Sequence, residues 1–348
     1  MSTAGPTTTA RGATDAVRAH TRRRTAGVGA SIGAVLALAI VVSMLVGDYD
    51  LSPAGVARAL FGSGSNIDVY IVTQVRLPRT LIAVLCGAAL GIAGALFQTL
   101  LRNPLASPDL LGVSGGAGVA AVWATLILGL SGAAVAASAF AGGLVVAMVL
   151  LVAARRLSDG GYRLVLAGVG IAFLCAAVIG YLLKRAQITQ AQSALVWITG
   201  SIGATGWSDV LVVGAVLLVA APMIVAASRM LTVLELGDHL AAGLGVRPVL
   251  ARIGIVAAAV LLAAASTAFI GPVAFVALCA PPIARALLGR GTVGIATSGA
   301  IGALILLAAD LVAQHAFPGL TVPVGVITGA VGAPYLLWLL ATSRGGRL

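Results

Sequence analysis

The chain contains one lysine, Lys184 in the stretch GYLLKRA, so it has no GxxxxGK[ST] loop to meet a nucleotide's phosphates. Any ATP chemistry would have to come from another chain. His20, His239 and His315 stand far apart and outside any HExxH spacing, and no paired carboxylates or nucleophile motif stand out. Cys86, Cys175 and Cys279 lie in apolar runs without a CxxC pair, which suits packing rather than a disulfide framework or metal knuckle. No cofactor, metal or catalytic set is expected, and the chemistry that remains is recognition and passage. Arg76 and Arg79, in RLPR, stand at the entrance of an apolar run and are pointed candidates for a role there, or for snorkelling to lipid headgroups. Glu235, Leu236, Gly237, Asp238, His239, Leu240, Ala241, Ala242, Gly243 and Leu244 alternate polar and apolar positions, as a short helix fitted to a partner's groove would, or a solvated connection. Asp310 is the one carboxylate deep in an apolar run; it reads as a functional group, or as one solvated or bonded to a neighbouring helix. Gln98, Asn103, Gln187, Gln190, Gln192, Trp197 and Trp207 are candidates for the lining or outer mouth of a polar path.

The elements that must position these groups are membrane spans. Sixty per cent of the 348 residues are hydrophobic and 9% are charged, and the mean hydropathy is +1.11. That much apolar surface calls for a bilayer as solvent. The net charge of +11 is scattered between apolar runs without an aromatic platform, which argues against nucleic acid. From Thr80 to Leu101 there are 22 uncharged residues, enough at about 1.5 Å each to cross a hydrocarbon core of roughly 30 Å. Arg102-Asn103-Pro104 stops this helix, and Ser107, Pro108 and Asp109 read as the N-cap and first turn of the next. Gly87, Gly91 and Ala95 recur every four residues, as on a face where a neighbouring backbone approaches closely.

Further apolar runs follow, for about ten spans in an all-α polytopic protein, and Ala194 to Ala204 is too short to cross and reads as a short or re-entrant helix. Residues 1–27 are expected to form a disordered basic tail, 28–343 the membrane domain and 344–348 a second tail. With the N-terminus inside, 16 of the 21 basic residues fall on the inner side, which places both termini in the cytoplasm and leaves Arg76 and Arg79 outside, against the bias.

The stretch RLPRTLIAVLCGAALGIAGALFQTLLRNPLASPDLLGVSGGAG, with LELGDHLAAGLGV, FIGPVAFVALCAPPIAR, AADL and VPVGVITGAVGAPYLLWLL, resembles the permease subunits of iron-siderophore ABC importers, the family that includes the vitamin B12 permease. The resemblance covers nearly the whole chain after Leu51 and implies that family's fold in the cytoplasmic membrane. It also implies a second permease subunit, two ATPase subunits that use the ATP, and an extracytoplasmic binding protein. Arg76 and Arg79 would meet acidic residues of that binding protein, and residues 235–244 would form the coupling helix on the ATPase. RLVLAGVGIAF and LVWITGSI are most similar to the second permease of ferric-enterobactin-type systems, which implies a heterodimer ahead of a self-pair and a catecholate as the leading cargo, with vitamin B12, haem and hydroxamate chelates open within the family. Two departures stand out: Gln314 where family members often carry arginine, and Pro282 where they carry histidine. The rival reading is an ion-coupled secondary transporter, for which Asp310 would be the key residue.

Overall fold

The computed structural model describes residues 7–154, 162–203, 205–289, 293–317, 319–320 and 322–342, and every described regular element is helical. The order is α1 (Thr7–Leu45), α2 (Pro53–Leu60), α3 (Asn66–Tyr70), a π-helical turn (Ile71–Arg76), α4 (Leu77–Leu101), a 3-10 turn (Asp109–Leu111), α5 (Val113–Leu126), α6 (Ala133–Ala154) and α7 (Tyr162–Arg185). Then come α8 (Ile188–Ile198), α9 (Trp207–Leu234), α10 (Asp238–Gly243), α11 (Pro248–Ile270), α12 (Val276–Leu288), α13 (Ile295–His315) and α14 (Val324–Thr342). Seven helical stretches are long and apolar enough to cross a membrane, and three shorter apolar ones, in α5, α12 and α14, bring the described number to the ten expected.

The helix α4 sits at the centre, packed by α9, α11, α12 and α13. The spans built on α4 and α11 are each 72% buried, whereas those of α1, α7 and α9 lie at 11%, 17% and 22%, so the latter form the outside of the bundle. Close approach to α4 is a matter of missing side chains. A Cβ on Gly87 would lie 2.5 Å from the Gly302 carbonyl oxygen, one on Gly91 would strike the Ser298 carbonyl, and one on Gly94 the Ala277 carbonyl. The seam therefore follows Gly87 and Gly91 against α13 and turns at Gly94 onto α12, while Ala95 is buried in the main apolar cluster.

The helix α1 takes in the basic stretch from Thr7 onward; once the membrane segment has supplied the helical nucleus, adding Thr, Ala and Arg residues costs little. Residues 1–6 and 343–348, which include the second tail, lie outside the described residues. Two expectations about helix starts need correction. The next helix after α4 starts at Val113 and not at Pro108, because Gly112 takes a left-handed φ of 79° that separates the 3-10 turn from α5. The short helix α8 occupies 188–198, six residues before the apolar run begins, with Gln187 as its N-cap.

Candidate functional site

At one end of the bundle Pro78 organises the RLPR sequence. In the π-helical turn the Leu77 amide donates back five residues to Val72, and the next rung would need an amide on Pro78, which has none. The Thr73 carbonyl it would have met accepts instead from the Trp207 indole of α9 at 2.9 Å. The turn points Arg76 inward, where it is 9% exposed. Its guanidinium donates to the carbonyls of Met44 (2.7 Å), Leu45 (3.3 Å) and Tyr49 (2.5 Å), closing the end of α1. The Tyr49 hydroxyl in turn donates to Asp68 at 3.1 Å, and that bond holds the phenol above its ordinary pKa.

Arg79 lies one turn further along and is treated differently. Its Nε and Nη2 donate to the two oxygens of Asp310 at 3.0 and 2.8 Å, a forked pair between α4 and α13. The Asp310 side chain is 2% exposed and the Arg79 side chain 30%. Gln314, one turn along α13, donates to Asp310 at 2.7 Å. Asp310 is thus engaged by two donors, which is the helix-bonded reading of that residue. Neither Arg76 nor Arg79 presents an unoccupied guanidinium. The pairing was open to inference, since an intramembrane carboxylate calls for a cation and Arg79 stands near the same end; the carbonyl partners of Arg76 left no trace in residue types.

At the opposite end α10 stands out from the bundle. It is held by the Asp238–Arg252 pair at 2.7 Å and by burial of Ala241, while Gly237 and Gly245 turn the chain with φ of 97° and 84°. Leu236, Leu240 and Leu244 are 57%, 62% and 65% exposed, an apolar surface in a polar neighbourhood, with Glu235, His239, Ala242 and Gly243 also exposed around it. Arg102 closes α4 in a left-handed conformation with φ of 48°, and its Nη2 donates to the carbonyls of Leu234 (3.1 Å) and Glu235 (2.9 Å). The central helix is thereby tied to the end of α9 from which α10 departs.

The seven path candidates do not converge: Trp207 is bonded to the Thr73 carbonyl, and Gln192 is exposed on α8. Gln187 and Gln190 are exposed on α8, and Trp197 is half-buried at its far end. Asn103 accepts from the Leu105 amide at 2.9 Å, shaping the turn after α4. Gln98 is 3% exposed and structural. Pro282 lacks the amide that would bond the Leu278 carbonyl, and Gln98 Nε2 donates to that carbonyl at 3.0 Å, while Gln98 Oε1 accepts from Arg285 at 2.6 Å. The proline that replaces the family histidine is accommodated by a side chain of the central helix. Among the described residues no group of three or more His, Cys, Asp or Glu side chains is placed to hold a metal ion.

Comparison with known proteins decides between the readings of this arrangement. The model of the FecCD transport family matches residues 35–342. The chain belongs to the FecCD transport family. This FecCD-family chain is 39% identical to the ferric enterobactin transport system permease protein FepG of Escherichia coli (strain K12), over 84% of its own length and 89% of the relative's. It is 38% identical to the achromobactin transport system permease protein CbrC of Dickeya dadantii (strain 3937), covering 90% of this chain and 91% of that one. The vitamin B12 import system permease protein BtuC of Citrobacter koseri is 35% identical, over 90% and 94%. An inward-facing structure described as a metal-chelate type ABC transporter superposes with a TM-score of 0.80 at 24% identity, over 90% of this chain and 98% of that one, which matches the fold.

Proposed function

We propose that this chain is the membrane-spanning permease subunit of an ABC importer that carries an iron-siderophore complex, a catecholate chelate first among the candidates, across the cytoplasmic membrane. The observation that supports it most is the similarity to FepG and CbrC over most of both chains. In this reading both termini and the α10 end face the cytoplasm, and the Arg79 end faces outward. The exposed leucines of α10 seat an ATPase subunit, of which the assembly has two, and ATP is bound and hydrolysed there. A second, homologous permease subunit covers part of the lightly buried outside of the bundle, where α8 offers Gln187 and Gln190, and membrane lipid covers the rest. An extracytoplasmic binding protein docks at the Arg79 end. Of the two arginines, Arg79 is the partly exposed one that meets its acidic residues, and Arg76 supports the surface from beneath through α1.

The ion-coupled carrier loses its main support, because Asp310 is engaged by Arg79 and Gln314. The test is reconstitution in proteoliposomes with candidate partner subunits. Uptake of a ferric catecholate that needs a separate ATPase and the binding protein, with no nucleotide turnover by this chain alone, is the expected result. Uptake driven by an ion gradient without an ATPase would overturn it.

A further inference from the structure

A cleft of about 440 Å³ opens between the second half of α9 and the first turns of α11, immediately beside α10. Its walls include Met223, Ala227, Met230, Val246, Leu250 and Gly254, and Arg247 stands among them. Pro222, one residue before Met223, removes a rung from α9 where the cleft begins. The span containing α9 is only 22% buried, so this wall belongs to the outside of the bundle.

Charge at this mouth is uneven. Arg252 is paired with Asp238, and Arg102 is engaged with carbonyls. Arg247 is exposed, and among the described residues its side chain has no acidic partner or hydrogen bond. It is also the N-cap of the 23-residue α11, where no side chain accepts from the first amides. A free cation, the positive end of a long helix dipole and an apolar slot thus meet at one place. In the orientation of the proposed function that place is at the depth of cytoplasmic-leaflet headgroups.

We propose that this cleft is a binding site for an anionic phospholipid of the phosphatidylglycerol class. One acyl chain lies along Met223, Ala227, Met230 and Gly254, and the headgroup phosphate accepts hydrogen bonds from Arg247 and from the first amides of α11. The lipid wedges α9 against α11 directly behind α10. The site rests on the membrane orientation just proposed, but its test needs neither transport nor a partner subunit, so the two readings fail separately.

The experiment is native mass spectrometry of the detergent-purified full chain with added phosphatidylglycerol or phosphatidylcholine. Phosphatidylglycerol should be retained about tenfold more than phosphatidylcholine, which has the same phosphate but sets its choline ammonium against Arg247 and the positive helix end, so that the charge-assisted contact is offset. Arg247→Gln should erase that preference and Arg247→Lys should keep part of it. Glycerol phosphate, which has the headgroup chemistry and no chain, should not compete. Gly254→Trp fills the slot from a position where an added Cβ meets nothing within 4 Å, so the fold persists while both lipids are lost. Equal retention of the two lipids by the unaltered chain, or an unchanged preference in Arg247→Gln, would overturn the headgroup assignment. Lipid retention that survives Gly254→Trp would overturn the cleft as a lipid site.

Discussion

The forked pair between Arg79 and Asp310 makes an asymmetric prediction. Removing the cation in Arg79→Ala leaves a carboxylate that is 2% exposed with Gln314 as its remaining donor. An uncompensated buried charge of this kind costs about 3 kcal/mol. Removing the anion in Asp310→Ala leaves a guanidinium on a side chain 30% exposed, which can turn toward water or headgroups. The loss is then about 1.5 kcal/mol, the net worth of charge-assisted hydrogen bonds. For a chain of this size roughly 2 °C of midpoint accompanies each kcal/mol, so apparent midpoints should fall by about 6 °C in Arg79→Ala and about 3 °C in Asp310→Ala. Arg79→Lys keeps the charge and loses the fork, and belongs between the unaltered protein and Arg79→Ala. The assay is thermal unfolding in one detergent at a fixed scan rate, since unfolding of such proteins is rate-dependent. An Asp310→Ala loss equal to or larger than that of Arg79→Ala would refute the burial argument.

Five further variants probe the rest of the architecture. Gly243→Trp places bulk on the exposed side of α10, where an added Cβ meets nothing within 4 Å, so the chain should fold and insert normally while ATPase pull-down and uptake fall at least about tenfold. Gly94→Val would drive a side chain into the Ala277 carbonyl and should cost on the order of 3 kcal/mol or more, read as loss of the monodisperse peak in gel filtration, while Gly214→Val, with open space, keeps it. Arg102→Gly and Arg102→Ala both remove the link to Leu234 and Glu235 and should weaken stimulation of the ATPase by the binding protein; glycine should be the more stable of the two by about 1 kcal/mol in melting experiments, since it takes the left-handed φ of 48° without strain.

The helices and their number were legible in the sequence because long apolar runs in lipid leave the backbone little choice. The seam at Gly87 and Gly91 was legible for the same reason, as small residues at helical spacing mark close approach. Its turn at Gly94 toward α12 was not, since which neighbour meets which face depends on the packing of the entire bundle. The exposed leucines of α10 followed from local pattern. What the sequence concealed was how Arg76, Trp207 and Gln98 are spent. Each serves a main-chain carbonyl far away in the chain, two of them carbonyls stripped of their usual donor by Pro78 or Pro282. Gln98 therefore looked like a path residue, although its amide is committed to α12.

Among the described residues three arginines clasp main-chain carbonyls of another helix: Arg24 reaches the Leu287 carbonyl near the end of α12, Arg76 the last carbonyls of α1, and Arg102 those closing α9. In each clasp the acceptor is main chain, which every amino acid carries. Drift at Met44, Leu45, Leu234, Glu235 or Leu287 leaves the acceptor in place, whereas replacing the arginine removes the clasp at one step. The burden of preservation falls on one side of each contact. Related chains would be expected to hold the arginine while the residues it grips vary freely, and a search for co-varying pairs would pass over these contacts even though they join the helices.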